Sequence, residues 1–231
     1  MLLELRRLEV PPGQRLLLRD VTWQEFETIL DELGEHRGSR LAYDQGTLEI
    51  MMPLPEHEDD KEIIGDLIKA LLEELDIEFR SLGSTTFKKS QTQGLEPDQC
   101  FYIQHESVIR GKPRLDLTLD PPPDLAIEID VTSRTHPSIY AALGVPELWQ
   151  FDRGTLQIKV LQGERYELVA ESPNFPGLPL TMVLTNTATR AARQRCAALG
   201  VQHFFDKSYE FDRVALALDG LRRPDGPQKT P

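Results

Sequence analysis

From about Glu58 to Leu75, apolar residues recur at helical intervals. Ile63, Ile64, Leu67, Ile68, Leu71, Leu72 and Leu75 form one stripe, which predicts a long helix packed against a sheet. An earlier helix is bounded more sharply: Thr22 and Glu25 spell a capping box and Gly34 a stop, predicting helix from about Trp23 to Leu33. Two short apolar runs, Leu41-Ala42-Tyr43 and Thr47 to Met52, flank Asp44-Gln45-Gly46 and predict a hairpin. Strands carrying Phe79, Phe87, Asp98 and Glu128 follow, then a short helix from about Ser138 to Leu143 that stops at Gly144. Leu148 to Asp152, Leu156 to Leu161 and Tyr166 to Ala170 read as an antiparallel extension, the last two separated by Gln162-Gly163-Glu164. Pro173 to Pro179 reads as a proline-rich loop. A further helix is expected from Thr187 or Thr189 through Ala198, and residues 219–231 have the composition of a disordered tail.

Two of these strands carry acids where acids are disfavoured. In Asp124 to Val131, alternation puts Ile127, Ile129 and Val131 on one face and Glu128, Asp130 and Thr132 on the other. In Pro97 to Ile103, Pro97 suits a strand start, and Asp98 shares a face with Cys100 and Tyr102. Buried acids are costly unless paired or bound to metal. Two neighbouring strands that point Asp98 and Glu128 to one side could therefore hold a divalent cation, for which magnesium asks one or two carboxylates and several waters. The bland alternative is an exposed antiparallel face.

Composition narrows the classes. The chain has 231 residues, 39% of them hydrophobic, enough for one substantial core. No run of about 18 apolar residues is present, so no membrane span is expected. The opening residues lack the order of a secretory signal, and the two cysteines, Cys100 and Cys196, suggest neither a disulfide framework nor a zinc site. A reducing cytoplasm is the expected location. The net charge of −12 opposes nucleic-acid binding, which relies on Lys and Arg. Basic residues nevertheless gather at Lys88-Lys89, Arg110 to Arg114 and Arg190 to Arg195, away from the acids at Glu56 to Glu62 and Glu73 to Glu78.

The motifs, taken in order, resemble the Uma family of bacterial restriction-endonuclease-type proteins, within the PD-(D/E)XK nuclease superfamily. The residues that carry the resemblance are Pro53-Leu54-Pro55-Glu56-His57-Glu58, Gly83 to Lys88, Gly94-Leu95-Glu96-Pro97-Asp98, Pro122 to Glu128, and Gly144-Val145-Pro146-Glu147-Leu148-Trp149. The resemblance covers roughly residues 20 to 185. It implies an α/β fold with a restriction-endonuclease-like core: a mixed central sheet flanked by helices, with an antiparallel C-terminal extension. The expected divisions are an N-terminal extension over 1–19, the nuclease-like domain over 20–186, a helical appendage over 187–218 and the tail over 219–231.

The implied activity is metal-dependent hydrolysis of DNA phosphodiester bonds. Asp98, Glu128 and the main-chain carbonyl of Ile129 would bind magnesium or manganese. Duplex DNA is the implied partner, with a homodimer able to make both cuts. The superfamily lysine should follow Glu128 by two residues, but that position is Asp130, a further ligand or a hydrogen-bonding group. Lys88 is the expected replacement as the cation that orients water, and Arg134 and His57 are candidates for phosphate binding. His136 is a weaker one. Tyr140 and Trp149 are expected to be core aromatics. A second reading follows from Asp130 and the acidic charge: a nuclease fold that binds protein or nucleic acid without catalysis.

Overall fold

The computed structural model describes residues 9–34, 38–83, 85–89, 92–129, 137–152, 155–176, 182–185 and 203–206. In chain order the elements are β1 (Arg15–Leu18), α1 (Trp23–Leu33), β2 (Arg40–Asp44), β3 (Thr47–Met51), α2 (Pro55–Glu74), β4 (Arg80–Gly83), β5 (Phe87–Lys89), β6 (Gln93–Leu95), β7 (Gln99–Tyr102), α3 (Glu106–Ile109), β8 (Leu125–Ile129), α4 (Pro137–Leu143), β9 (Glu147–Asp152), β10 (Thr155–Gln162), β11 (Arg165–Val169), β12 (Met182–Thr185) and β13 (His203–Asp206). Both expected long helices are present. Thr22 and Glu25 cap α1 reciprocally, as the capping box predicts.

The strands form two principal sheets rather than one. A six-stranded sheet runs β11-β10-β9-β8-β7-β4, and a five-stranded sheet runs β1-β3-β2-β6-β5. The first is mixed: β8 and β9 are parallel, joined through α4, while β9, β10 and β11 form the antiparallel extension. The second is antiparallel throughout and holds the sequence-predicted hairpin, β2–β3, beside a second one, β5–β6. Between β2 and β3 only Gln45 and Gly46 intervene, both with positive φ (44° and 92°), the two-residue turn whose twist matches paired strands. β1 falls within the segment expected as an N-terminal extension and pairs with β3 at the sheet edge. β12 and β13 pair with each other in parallel. The expected helix at 187–198 and the tail at 219–231 lie outside the described residues.

Three apolar clusters fix the layering. The α2 stripe of Ile64, Ile68, Leu71 and Leu72 packs on Phe101, Leu125, Ile127, Ile129 and Trp149. The opposite face of the six-stranded sheet, carrying Cys100, Tyr102, Ala126 and Leu148, packs on Ile139, Tyr140 and Leu143 of α4. Phe87 and Leu95 belong to that same cluster, so α4 is buried between the two sheets. Because helices cover both faces, β8 is apolar on both, which is the pattern of a strand in a parallel arrangement. In the third cluster, Phe26 and Ile29 of α1 pack on Leu41, Tyr43, Leu48 and Ile50.

Gly94 of β6 shows how tightly α1 is seated. A Cβ there would lie 2.8 Å from the ring of Phe26, which is fully buried and stacked on Tyr43 at a centroid distance of 4.8 Å. The ring has no free volume to move into. Gly94→Ala is expected to destabilise the fold by about 1–3 kcal/mol, the usual cost of overpacking. Urea unfolding measures it, and an unchanged midpoint would show that α1 can lift without penalty.

Candidate active site

The chain leaves one sheet and enters the other within Glu96-Pro97-Asp98, between β6 and β7. Both acids are buried. Glu96 accepts hydrogen bonds from Leu41 N at 3.2 Å and Thr86 Oγ1 at 2.5 Å. Asp98 Oδ2 accepts from Ile129 N at 2.9 Å. Pro97 suits the intervening position because it brings no N–H that would need a partner. β7 pairs with β8 in the register Gln99↔Ile127, and one further step along that register sets Asp98 opposite Glu128. Both acids expected from the sequence thus lie at the adjoining ends of β7 and β8, Asp98 against α2 and Glu128 against α4.

Their surroundings differ. Asp98 faces a cluster of cations. His57, at the start of α2, sets Nε2 3.0 Å from Asp98 Oδ2, and Arg40 sets Nε 3.7 Å from Oδ1. Arg40 also donates from Nη2 to Glu58 Oε1 at 3.3 Å, and Lys61 donates to Glu58 Oε2. Glu128 is half-buried on the α4 side and accepts a hydrogen bond from the Tyr140 hydroxyl. Tyr140 is therefore both a core aromatic and a polar partner of the site, and Trp149 is core.

His57 is 3% exposed, and neither ring nitrogen makes an aligned hydrogen bond. The contact with Asp98 is best described as an ion pair, since charge attraction tolerates a misalignment that an N–H···O bond does not. Burial disfavours the charged ring. The hydrogen-bonding and charge effects of Asp98, with the charge of Glu58 added, outweigh that penalty and raise the His57 pKa. Glu58 shows the converse balance: burial acts to raise it, while Lys61 and Arg40 hold it below the ordinary carboxylate value. Cys100 is fully buried and its thiol is pushed far up by desolvation, so it is inert.

The remaining sequence candidates are placed as follows. Lys88, on the edge strand β5, forms an ion pair with Glu27 of α1 at 3.3 Å. The Ile129 N–H serves Asp98 while its side chain joins the α2 core. Asp130, Arg134 and His136 lie outside the described residues. Three residues of the cluster carry no expected site role in the sequence: Arg40, Glu58 and Lys61. Glu58 and Lys61 were legible, since a spacing of three on a helix puts them on the face that begins beside His57. Arg40 was not, because only the tertiary fold carries the start of β2 to Asp98.

Among the described residues, no three His, Cys, Asp or Glu side chains converge as a metal cage. Two carboxylates at adjacent strand ends still fit a hydrated magnesium or manganese ion, which needs only one or two of them. No helix of the described residues is long and apolar enough to cross a membrane.

Comparison with known proteins places the chain in a family. The family model Uma2, described as "Putative restriction endonuclease", matches residues 23–193. The chain belongs to the Uma2 family. The matched span runs from the first residue of α1 past the antiparallel extension, so it contains the whole site. One solved structure, a "putative nuclease belonging to DUF820" from Anabaena variabilis, aligns with 16% identity and a TM-score of 0.47, covering 65% of this chain and 85% of that one. No curated protein matches. Membership of the Uma2 family makes a nuclease the general expectation for this chain.

The raised His57 pKa has a definite sign. The ordinary histidine value is about 6.5. A group raised on folding contributes stability that is fully present below about pH 6.5 and is lost as pH rises through the folded value. Urea stability of the wild type should therefore fall from acid toward alkaline pH more than that of His57→Gln. Asp98→Asn keeps an acceptor for Ile129 N but removes the charge, so the His57 midpoint followed by NMR should drop. An unmoved midpoint would disprove the ion pair.

Proposed function

We propose that this Uma2 protein hydrolyses phosphodiester bonds in DNA with a divalent metal ion held by Asp98 and Glu128. The observation that carries the reading is the in-register placement of these two acids across β7 and β8, with a cation cluster against Asp98. Isolated carboxylates on strands have many structural explanations. Two at adjoining strand ends, one of them beside Arg40 and His57, would combine metal-ligand chemistry with anion-binding chemistry in one place. When bound, magnesium or manganese would polarise a phosphoryl oxygen and make water a stronger nucleophile. Glu128 and Asp98 would hold the ion, assisted by the Ile129 carbonyl, while Tyr140 fixes the Glu128 carboxylate.

The protein's own cations would stabilise charge gathering on the phosphate, which is where preorganised groups contribute most. Arg40 already stands 3.7 Å from Asp98. Lys88, the cation expected from the sequence to orient water, would have to leave Glu27 to serve there. Asp130 would act as a further ligand, and Arg134 as a phosphate clamp.

The second reading, a nuclease fold that binds without cutting, is favoured by one observation: Asp130 stands where the superfamily lysine belongs. Metal affinity separates the two. In a calorimetric manganese titration the wild type should bind, and Asp98→Asn and Glu128→Gln should each weaken binding by at least about a hundredfold, beyond the 10–100-fold typical of outer-shell losses. Cleavage of a plasmid substrate should fall to background in both. Wild-type protein that binds no manganese, or variants that bind it normally, would leave the binding module as the correct description.

A further inference from the structure

Beside Asp98 lies a cleft of about 450 Å³ whose lining includes Arg40, Glu58, Lys61, Glu96 and the Leu54-Pro55 start of α2. Its charges are unevenly exposed. The side chains of Arg40 and Lys61 are 11% and 12% exposed, whereas Glu58, the carboxylate between them, is 40% exposed. Charged side chains this deeply buried need partners. Glu58 supplies one to both: Oε1 accepts from Arg40, and Oε2 accepts from Lys61. Lys61 is also 3.4 Å from Glu62, a more exposed acid. His57 Nδ1, buried and without an aligned partner, faces Glu58 Oε1 at 3.6 Å. Two cations and a buried imidazole nitrogen thus converge on a single carboxylate that solvent can reach.

We propose that this cleft is a phosphate-binding subsite in which the Glu58 carboxylate occupies the place of a substrate phosphate. The inference rests on the phosphodiester reading of the neighbouring Asp98–Glu128 site and adds to it where a phosphate sits and what it displaces. Arginine presents a planar fork suited to oxyanions, and Arg40 spans the two sites, with Nε toward Asp98 and Nη2 toward Glu58. The backbone supports the same ligand. α2 begins with Leu54 as N-cap, no side-chain cap and Pro55 at its first position, so no side chain of the cap residue screens the positive end of a 20-residue helix. Glu96 also lines the cleft, but Leu41 N and Thr86 Oγ1 already occupy its two carboxylate oxygens. Glu58 is the anion that can leave. A DNA phosphodiester, like a carboxylate, carries one negative charge and two free oxygens, so it can take the place of Glu58 at Arg40, Lys61 and His57, and inorganic phosphate, with more charge, competes for the same groups. Until it does, Glu58 keeps the cluster neutralised and lowers affinity for weaker anions.

The test is calorimetric titration with inorganic phosphate in the absence of metal, on the full chain, for wild type, Glu58→Gln, Lys61→Gln and Lys61→Arg. Circular dichroism establishes that each is folded. Removing the competing carboxylate should tighten phosphate binding about fivefold, the scale of one partly exposed ion pair. Lys61→Gln should weaken it by a similar factor, and Lys61→Arg should restore it. Equal affinity in all four proteins, or weaker binding by Glu58→Gln, overturns the proposal. If Glu58→Gln does not fold, the two Lys61 variants decide: loss and rescue uphold the subsite, and no change overturns it. Binding to a labelled duplex gives a second readout, since losing one phosphate contact should reduce the salt slope by about one in Lys61→Gln. The phosphate pattern without metal-dependent cleavage would remove the nuclease reading and leave the subsite. Cleavage without the phosphate pattern would do the reverse.

Discussion

The fold turns on how the backbone crosses from one sheet to the other at Glu96-Pro97-Asp98. A strand that leaves a sheet abandons ladder partners, and a buried N–H without an acceptor costs about 1–3 kcal/mol. Two carboxylates take over as acceptors here. Glu96 receives the N–H of Leu41 in the five-stranded sheet, and Asp98 receives that of Ile129 in the six-stranded sheet. Pro97, between them, adds no donor. The acids that look out of place in a strand sequence thus hold the two sheets together, and α4 fills the wedge they define.

That duty determines the electrostatics. Two buried carboxylates two residues apart need positive charge nearby, and β2 and α2 are the elements the crossing brings within reach. Arg40 and His57 meet Asp98, and Glu58 and Lys61 extend the cluster outward. The result is a local concentration of cations on a protein with a net charge of −12. Net charge governs long-range attraction to nucleic acid, but an individual phosphate responds to the few groups within a Debye length of about 8–10 Å. An acidic chain can therefore hold a phosphate site if the cations are few, close and partly dehydrated.

The sequence made the local elements legible because their signals are local. The α1 capping box, the Gln45-Gly46 turn and the α2 stripe each fall within one window, and each is where it was expected. The division into two sheets was not legible, since nothing in β6 or β7 announces that three residues between them change layers. The same limit applies to the site. Asp98 and Glu128 stand out as acids in apolar strands, but alternation does not foretell that Asp98 meets His57 of α2 while Glu128 meets Tyr140 of α4. Arg40 looks like any arginine at a strand start. Lys88 illustrates the opposite difficulty: its closeness to Asp98 along the chain and its strand parity suggested proximity, but β5 is an edge strand and its lysine reaches Glu27 of α1. Sequence separation is a poor guide to distance when the intervening residues switch sheets.

The unequal burial of the two acids bears on how any loss of activity should be read. Asp98 is 2% exposed and is an acceptor for β8 as well as an ion-pair partner of α2. Its removal strands both Ile129 N and the His57 charge, so an inactive Asp98→Ala protein could be inactive because the sheet junction has loosened. Asparagine at that position retains the acceptor and isolates the charge. Glu128 sits half-exposed near the end of β8, where its carboxylate receives the Tyr140 hydroxyl. An acid in an apolar strand is retained at a cost, and under the proposed function a bound metal ion would offset it. Glu128→Gln, which leaves the Asp98 junction untouched, is therefore the cleaner test of whether the fold is used as an enzyme.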